Sequence, residues 1–186
     1  MKRNVFIFHG TAGIPEGNWF PWLKEKLTDK GHNVIVPRFP TPEGESLIAW
    51  LKILEEYKNL INQDTIIIGH SKGGLFTLRV LEKLEQPIHA TFLISAPIGI
   101  KPILFYDQDA AFSPGFDFNW NNIQKNSKQF VVYHSDNDPY VCLENGEKLS
   151  QKLNTPLQFI PDAGHLNAES GYTTFEKLFQ DIEQVL

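Results

Sequence analysis

One cysteine and one methionine occur in 186 residues. With Cys142 alone no internal disulfide can form, which suits a reducing compartment. Basic clusters are also missing, and 17 Lys and Arg are outnumbered by 22 Asp and Glu, for a net charge of −5. That balance argues against a nucleic-acid partner, because polyphosphate is repelled. No apolar run reaches membrane-spanning length, so no membrane partner is expected. The start, Met1-Lys2-Arg3-Asn4, is basic like a signal n-region, but the apolar run from Val5 stops at His9-Gly10. That is too soon for a secretory signal, and a cytoplasmic location is expected. Repeats, low-complexity tracts and linkers are lacking. The chain therefore reads as one domain, 1–186, large enough for a substantial core. The histidines are scattered and H-E-x-x-H, G-x-G-x-x-G and Gly-Lys-Ser/Thr do not occur, so neither a metal nor a cofactor is expected.

What is present is a recurrence of short apolar, β-branched runs at 5–8, 33–36, 65–69, 91–95, 129–133 and 157–160. Most are continuously apolar rather than alternating, as in strands covered on both faces. The gaps between them are long enough for crossover helices. The first gap carries Trp19, Trp22, Leu23 and Leu27 at helical spacing, with Gly31 as a stop. The second opens on Thr41-Pro42-Glu43, which predicts an N-cap followed by proline in the first turn, and continues with Leu47, Ile48, Leu51 and Leu54 on one face. A last helix places Phe175, Leu178, Phe179, Ile182 and Leu186 on one stripe. Alternating strand and helix predicts an α/β fold with a mostly parallel sheet and helices on both faces. The segment 98–119 breaks the pattern, being aromatic, rich in Pro and Gly, and without a clean period. It is read as a small lid over the end of the sheet, with a helix and packed loop as the alternative.

The third apolar run leads into Gly69-His70-Ser71-Lys72-Gly73, and a helical pattern follows at once. Strand, G-x-S-x-G, helix is the context of a nucleophile elbow, a tight turn that exposes a serine hydroxyl above the sheet. The competing reading of Ser71 is a helix N-cap. A serine hydroxyl needs a base, and the base needs an orienting acid. In open α/β sheets these gather beyond the carboxyl ends of the strands. Past the fifth run lie Asp136 and Asp138. Asp138 is preferred because Pro139 stiffens its backbone, and Asp136 reads as a turn-former bonding local amides. Past the sixth run lies Gly164-His165, so His165 is the candidate base, alone in having the right chain order and sheet end. An oxyanion hole is expected from the backbone N–H groups of Lys72 and of Thr11 in the glycine-rich loop after the first strand, with Ala12 next in line. The Lys72 side chain itself is expected in solvent. His9, Phe112 and Leu166 are expected to line the substrate pocket. Cys142 reads as a small packed residue.

With those residues placed, the chain resembles the α/β-hydrolase superfamily, and within it the compact serine hydrolases related to retinoblastoma-binding protein nine and the YdeN-type proteins. The resemblance rests on Trp19-Phe20-Pro21-Trp22, Thr65-Ile66-Ile67-Ile68-Gly69-His70-Ser71, Ser135-Asp136-Asn137-Asp138-Pro139 and Gly164-His165-Leu166-Asn167-Ala168-Glu169. It implies a shortened six-stranded sheet in the order 2-1-3-4-5-6 with a reduced lid, and a Ser71, Asp138, His165 triad. The Leu-x-Cys-x-Glu segment behind one relative's pocket-protein interaction is absent, so that interaction is not carried over and the protein partner is unknown. The expected activity is hydrolysis of small esters, with amides second, through an acyl-enzyme. The rivals are acyl transfer or amide hydrolysis by the same residues, and a binding module on a hydrolase scaffold. A binding module should show a broken triad, and none of the three positions is broken.

Overall fold

The structure, a computed structural model, describes residues 2–186. Its centre is a sheet of β1 (Asn4–Phe8), β2 (Asn33–Ile35), β3 (Ile66–His70), β4 (Ala90–Ile94), β5 (Phe130–His134) and β6 (Leu157–Phe159). The six strands run in the order β2-β1-β3-β4-β5-β6, and every neighbouring pair is parallel. This is the strand order that the family resemblance implies.

The two-residue period of the strands makes both cores. Phe6, Phe8, Ile67 and Leu93 point to one face. There they pack on α2 (Leu47–Glu55), α3 (Lys72–Leu81), α5 (Trp120–Lys125) and α6 (Leu143–Leu153), together with the end of α4 (Tyr106–Phe112). Val5, Ile7, Ile68, Phe92 and Ile94 point to the other face, against α1 (Phe20–Asp29) and α7 (Glu176–Glu183). Three of the four inner strands, β1, β3 and β4, are buried on both sides, which explains their unbroken apolar sequence.

The helix after β2 begins later than Thr41-Pro42 suggests. Its N-cap is Ser46, whose Oγ accepts the Ala49 amide at 3.1 Å. Its buried face is also rotated. Ile48 is 80% exposed, whereas Trp50 is fully buried, stacked on Phe39 at 4.5 Å between ring centres. The indole, the largest apolar group on the helix, sets the inward direction.

The segment 98–119 divides its roles. Ile98, Phe112 and Phe118 belong to the core, which accounts for its ordered aromatic content. Ile103 bridges antiparallel to Val141, and the Leu104 amide donates to the Tyr140 carbonyl at 2.8 Å. Leu104 and Phe105 remain exposed. Among the described residues no helix is long and apolar enough to cross a membrane.

Candidate active site

Ser71 sits between the end of β3 and the start of α3 with φ 55° and ψ −126°. A residue with a Cβ rarely takes that conformation. It is held from both sides. The Ser71 amide donates to the Ile94 carbonyl at 2.8 Å, and the Ser71 carbonyl accepts the Gly74 amide at 2.8 Å. Ser71 caps nothing with its side chain, so the N-cap reading fails. The turn requires glycine at 73, where a Cβ would lie 2.1 Å from the Phe8 carbonyl oxygen of the adjacent strand.

The strand ends after β5 and β6 meet across the cleft. Asp138 is wholly buried at its side chain, and its Oδ2 accepts the His165 Nδ1 proton at 2.7 Å. Its Oδ1 accepts the amides of Tyr140 and Val141 at 2.9 and 3.1 Å. Burial pushes this carboxyl upward, but the His165 hydrogen bond and charge and the two amides outweigh it and hold the group below the ordinary carboxylate range. With Nδ1 committed, Nε2 is the open nitrogen of the imidazole.

Neighbouring side chains fix the loop that carries His165. The Asp162 amide donates to Asp136 Oδ1 at 2.9 Å, that of Ala163 to Ser135 Oγ at 2.9 Å, and that of Gly164 to Asn137 Oδ1 at 2.6 Å. Asp136 therefore ties the two loops together rather than closing a local turn, and the Asp162 amide depresses its carboxyl. Below them, Trp19 Nε1 donates to the Leu166 carbonyl at 3.0 Å, so the aromatic pair of the first helix supports the histidine loop.

Ser71, His165, Gly10, Thr11, Ala12, Ile103, Phe105, Asp109 and Tyr140 are among the residues around one cleft of about 310 Å³. A Cβ on Gly10 would lie 2.7 Å from Ser71 Cβ and 3.1 Å from its Oγ, so the glycine loop lies close against the Ser71 side chain. Ser71 and His165 face the same space, though no hydrogen bond joins them in this conformation. The amides of Thr11 and Lys72 have no protein acceptor among the described residues, whereas the Ala12 amide is taken by Thr41 Oγ1 at 2.9 Å. Ala12 is thereby removed as an alternative donor.

Three expected pocket residues lie elsewhere. Phe112 is core, with its ring 4.9 Å from Trp50 and 6.2 Å from Phe76. Leu166 is fully buried on the opposite core. His9 is fully buried as well. Its Nδ1 donates to the Gly10 carbonyl at 3.0 Å and its Nε2 accepts the Phe39 amide at 3.1 Å. Burial lowers its pKa, so the ring is neutral and its lone pair is used. Helical amphipathicity explains Phe112, because α4 presents one side to the cleft and the other to the core.

The Lys72 side chain is not in solvent. It is 1% exposed, its Nζ is paired with Glu45, and it lies 3.2 Å from Asp109 Oδ1. Burial raises the Asp109 carboxyl to about 6 against the pull of Lys72. Among the cleft residues that sequence reading passed over are Phe105, Tyr140 and Asp109. Tyr140 lies 4.8 Å from the His165 ring, stacks on Phe105 at 6.3 Å, and donates its hydroxyl to Glu169 Oε2 at 2.7 Å. Its place immediately after Asp138-Pro139 was the available signal. Among the described residues no group of three His, Cys, Asp or Glu side chains is disposed to hold a metal ion.

Comparison with known proteins places this geometry in context. The sequence model described as "Serine hydrolase" matches residues 5–184. YdeN of Bacillus subtilis is 28% identical over 94% of this chain and 91% of its own length. The serine hydrolase RBBP9 of Rattus norvegicus is 23% identical over 100% of this chain and 95% of its own. The crystal structure of the ydeN product from B. subtilis superposes with a TM-score of 0.89 at 26% identity, covering 99% of this chain and 98% of that one. Est1E of Butyrivibrio proteoclasticus, with ferulic acid bound, shares the fold with a TM-score of 0.69 at 17% identity, covering 97% and 90%.

Proposed function

The chain belongs to the serine hydrolase family, and from that premise we propose that it cleaves small esters through an acyl-enzyme formed on Ser71. The observation that carries the reading is the buried Asp138–His165 pair, at 2.7 Å, opening onto the cleft that holds a serine on a strained strand-to-helix turn.

In this reading Ser71 Oγ closes on His165 Nε2 when substrate binds; such hydrogen bonds are often long without substrate. Nε2 takes the hydroxyl proton as Oγ attacks the ester carbonyl carbon. The carbonyl oxygen becomes an oxyanion and accepts the Thr11 and Lys72 amides. Collapse breaks the bond to the alcohol, which leaves with the proton from His165. Water, deprotonated by the same nitrogen, then attacks the acyl carbon, releasing the acid and restoring Ser71. Asp138 holds Nδ1–H in place and stabilises the imidazolium. It stays ionised throughout, in keeping with its lowered pKa.

Ile103, Phe105, Tyr140 and Val141 give the cleft an apolar side of modest size. That supports short acyl or alcohol groups over polymers, with the exposed part of 98–119, around Leu104 and Phe105, acting as the lid. Labelling by a fluorophosphonate, located by mass spectrometry, tests the nucleophile, and p-nitrophenyl esters of increasing chain length test the substrate class. Label on Ser71 and a maximum at short chains are expected. Label elsewhere, or unchanged turnover by Ser71→Ala, overturns the reading.

A further inference from the structure

A serine hydrolase of this kind needs two amides held at a fixed separation, and the two here differ in how they are anchored. The Lys72 amide is the first of α3 and is fixed by the elbow and the helix. The Thr11 amide lies on a loop without regular structure, in a turn closed by the Gly13 amide on the Gly10 carbonyl at 3.0 Å. The next residue, Ala12, has φ 53°, a left-handed value that a residue with a Cβ avoids unless something imposes it.

The constraint comes from outside the loop. The Ala12 amide donates to Thr41 Oγ1 at 2.9 Å, and the Thr41 hydroxyl donates to Glu45 Oε2 at 2.6 Å. Giving its proton to the carboxylate leaves the hydroxyl oxygen only an acceptor's role toward Ala12. The other Glu45 oxygen, Oε1, is paired with Lys72 Nζ. Lys72 Nζ also lies 3.2 Å from Asp109 Oδ1 and 5.6 Å from the Phe112 ring centre. Side-chain exposures are 1% for Lys72, 11% for Glu45 and 5% for Asp109. An ammonium buried this deeply is unfavourable without partners, and replacing such a group by apolar side chains often costs nothing. Its presence beside the nucleophile fits a demand for position.

We infer that Thr41 and Glu45 are positioning residues for the oxyanion hole, linking the Ala12 amide to the Lys72 ammonium so that one residue supplies one oxyanion donor through its backbone and indexes the other through its side chain. None of the three side chains touches the reacting atoms. Their effect is to hold the Thr11 amide at the place where the oxyanion develops. This rests on the esterase reading given above.

Thr41→Val keeps the shape of the side chain and removes both hydrogen bonds, while Thr41→Ser keeps the hydroxyl. With a p-nitrophenyl ester, Thr41→Val is expected to lower kcat about 10- to 100-fold, the scale of a misplaced catalytic group, with KM within about twofold. Thr41→Ser is expected to recover most of the rate. An alkyl boronic acid, whose tetrahedral adduct places an oxygen in the hole, should lose affinity for Thr41→Val in step with kcat. If Thr41→Val turns over like the native enzyme, or if both variants lose rate equally, the inference is wrong. Should Thr41→Val not fold, Glu45→Gln, which removes the shared charge at constant size, is read by the same kcat and boronate measurements and decides in the same way. Failure of the esterase reading is distinguishable, since Ser71→Ala would then keep its turnover and fluorophosphonate would not label the native protein.

Discussion

Asp138 Oδ2 accepts the His165 Nδ1 proton at 2.7 Å while Asp138 Oδ1 takes two amides of its own loop, so the carboxylate cannot rotate away from the imidazole. Asp138→Asn presents an amide to Nδ1 and favours the wrong tautomer. We expect kcat to fall by about 10⁴ with the fold intact. Asp136→Asn keeps an oxygen for the Asp162 amide and should leave kcat nearly unchanged. The opposite ranking, measured with one ester substrate, would overturn the choice of acid.

A second expectation concerns Phe105 and Phe112, which lie on different sides of the same segment. Phe112 is 4% exposed, packed on Trp50. Phe112→Ala should cost about 3–5 kcal/mol of stability and leave KM unaltered. Phe105 is 37% exposed at the cleft wall. Phe105→Ala should barely move the urea midpoint and should raise KM for apolar esters. A raised KM for Phe112→Ala in a fully folded sample would return that ring to the pocket.

Acid sensitivity follows from the buried histidines. Burial, followed by the His165 charge, lowers His70 to about 3 from an ordinary 6.5, and burial lowers His9 and His134 too. Below about pH 6.5 the unfolded chain binds protons that the folded chain refuses, so stability is present above that pH and is lost as pH falls toward about 3. The urea midpoint should drop between about pH 7 and pH 4.5. His70→Gln should flatten that slope. An unchanged slope would mean that His70 is protonated in the folded protein.

Gly73→Ala places a methyl against the Phe8 carbonyl, backbone against backbone, where neither side can yield. We expect a loss of roughly 3 kcal/mol or more, read as a lower thermal midpoint. A midpoint equal to that of the native protein would show that the elbow can open.

The sheet was legible because its strands are buried on both faces, and burial on both faces writes itself as short unbroken runs such as Ile66-Ile67-Ile68. Ser71, Asp138 and His165 were legible as candidates because each follows a strand at the same edge of the sheet. Whether a side chain near that edge turns toward the cleft or the core was not legible. Phe112, Leu166 and His9 turn to the core because partners distant in sequence claim them: Trp50 for Phe112, the α1 and α7 core for Leu166, and the Phe39 amide for His9. Lys72 shows the same limit for charge. Its burial depends on Glu45 and Asp109, 27 and 37 residues away by position in the chain, and no local pattern announces such a pairing.

The four residues 135–138 grip the four residues 162–165 one for one, three through amides and the last through the imidazole. Such a clasp makes acid and base travel as a unit, since neither loop can shift without dragging its counterpart. His70 Nε2, at the end of β3, donates to the His165 carbonyl at 2.9 Å, so the clasp is moored to the strand that leads into Ser71. Strain placed on either loop is passed through that bond to the Ser71 turn, so the candidate acid, base and nucleophile keep their register together.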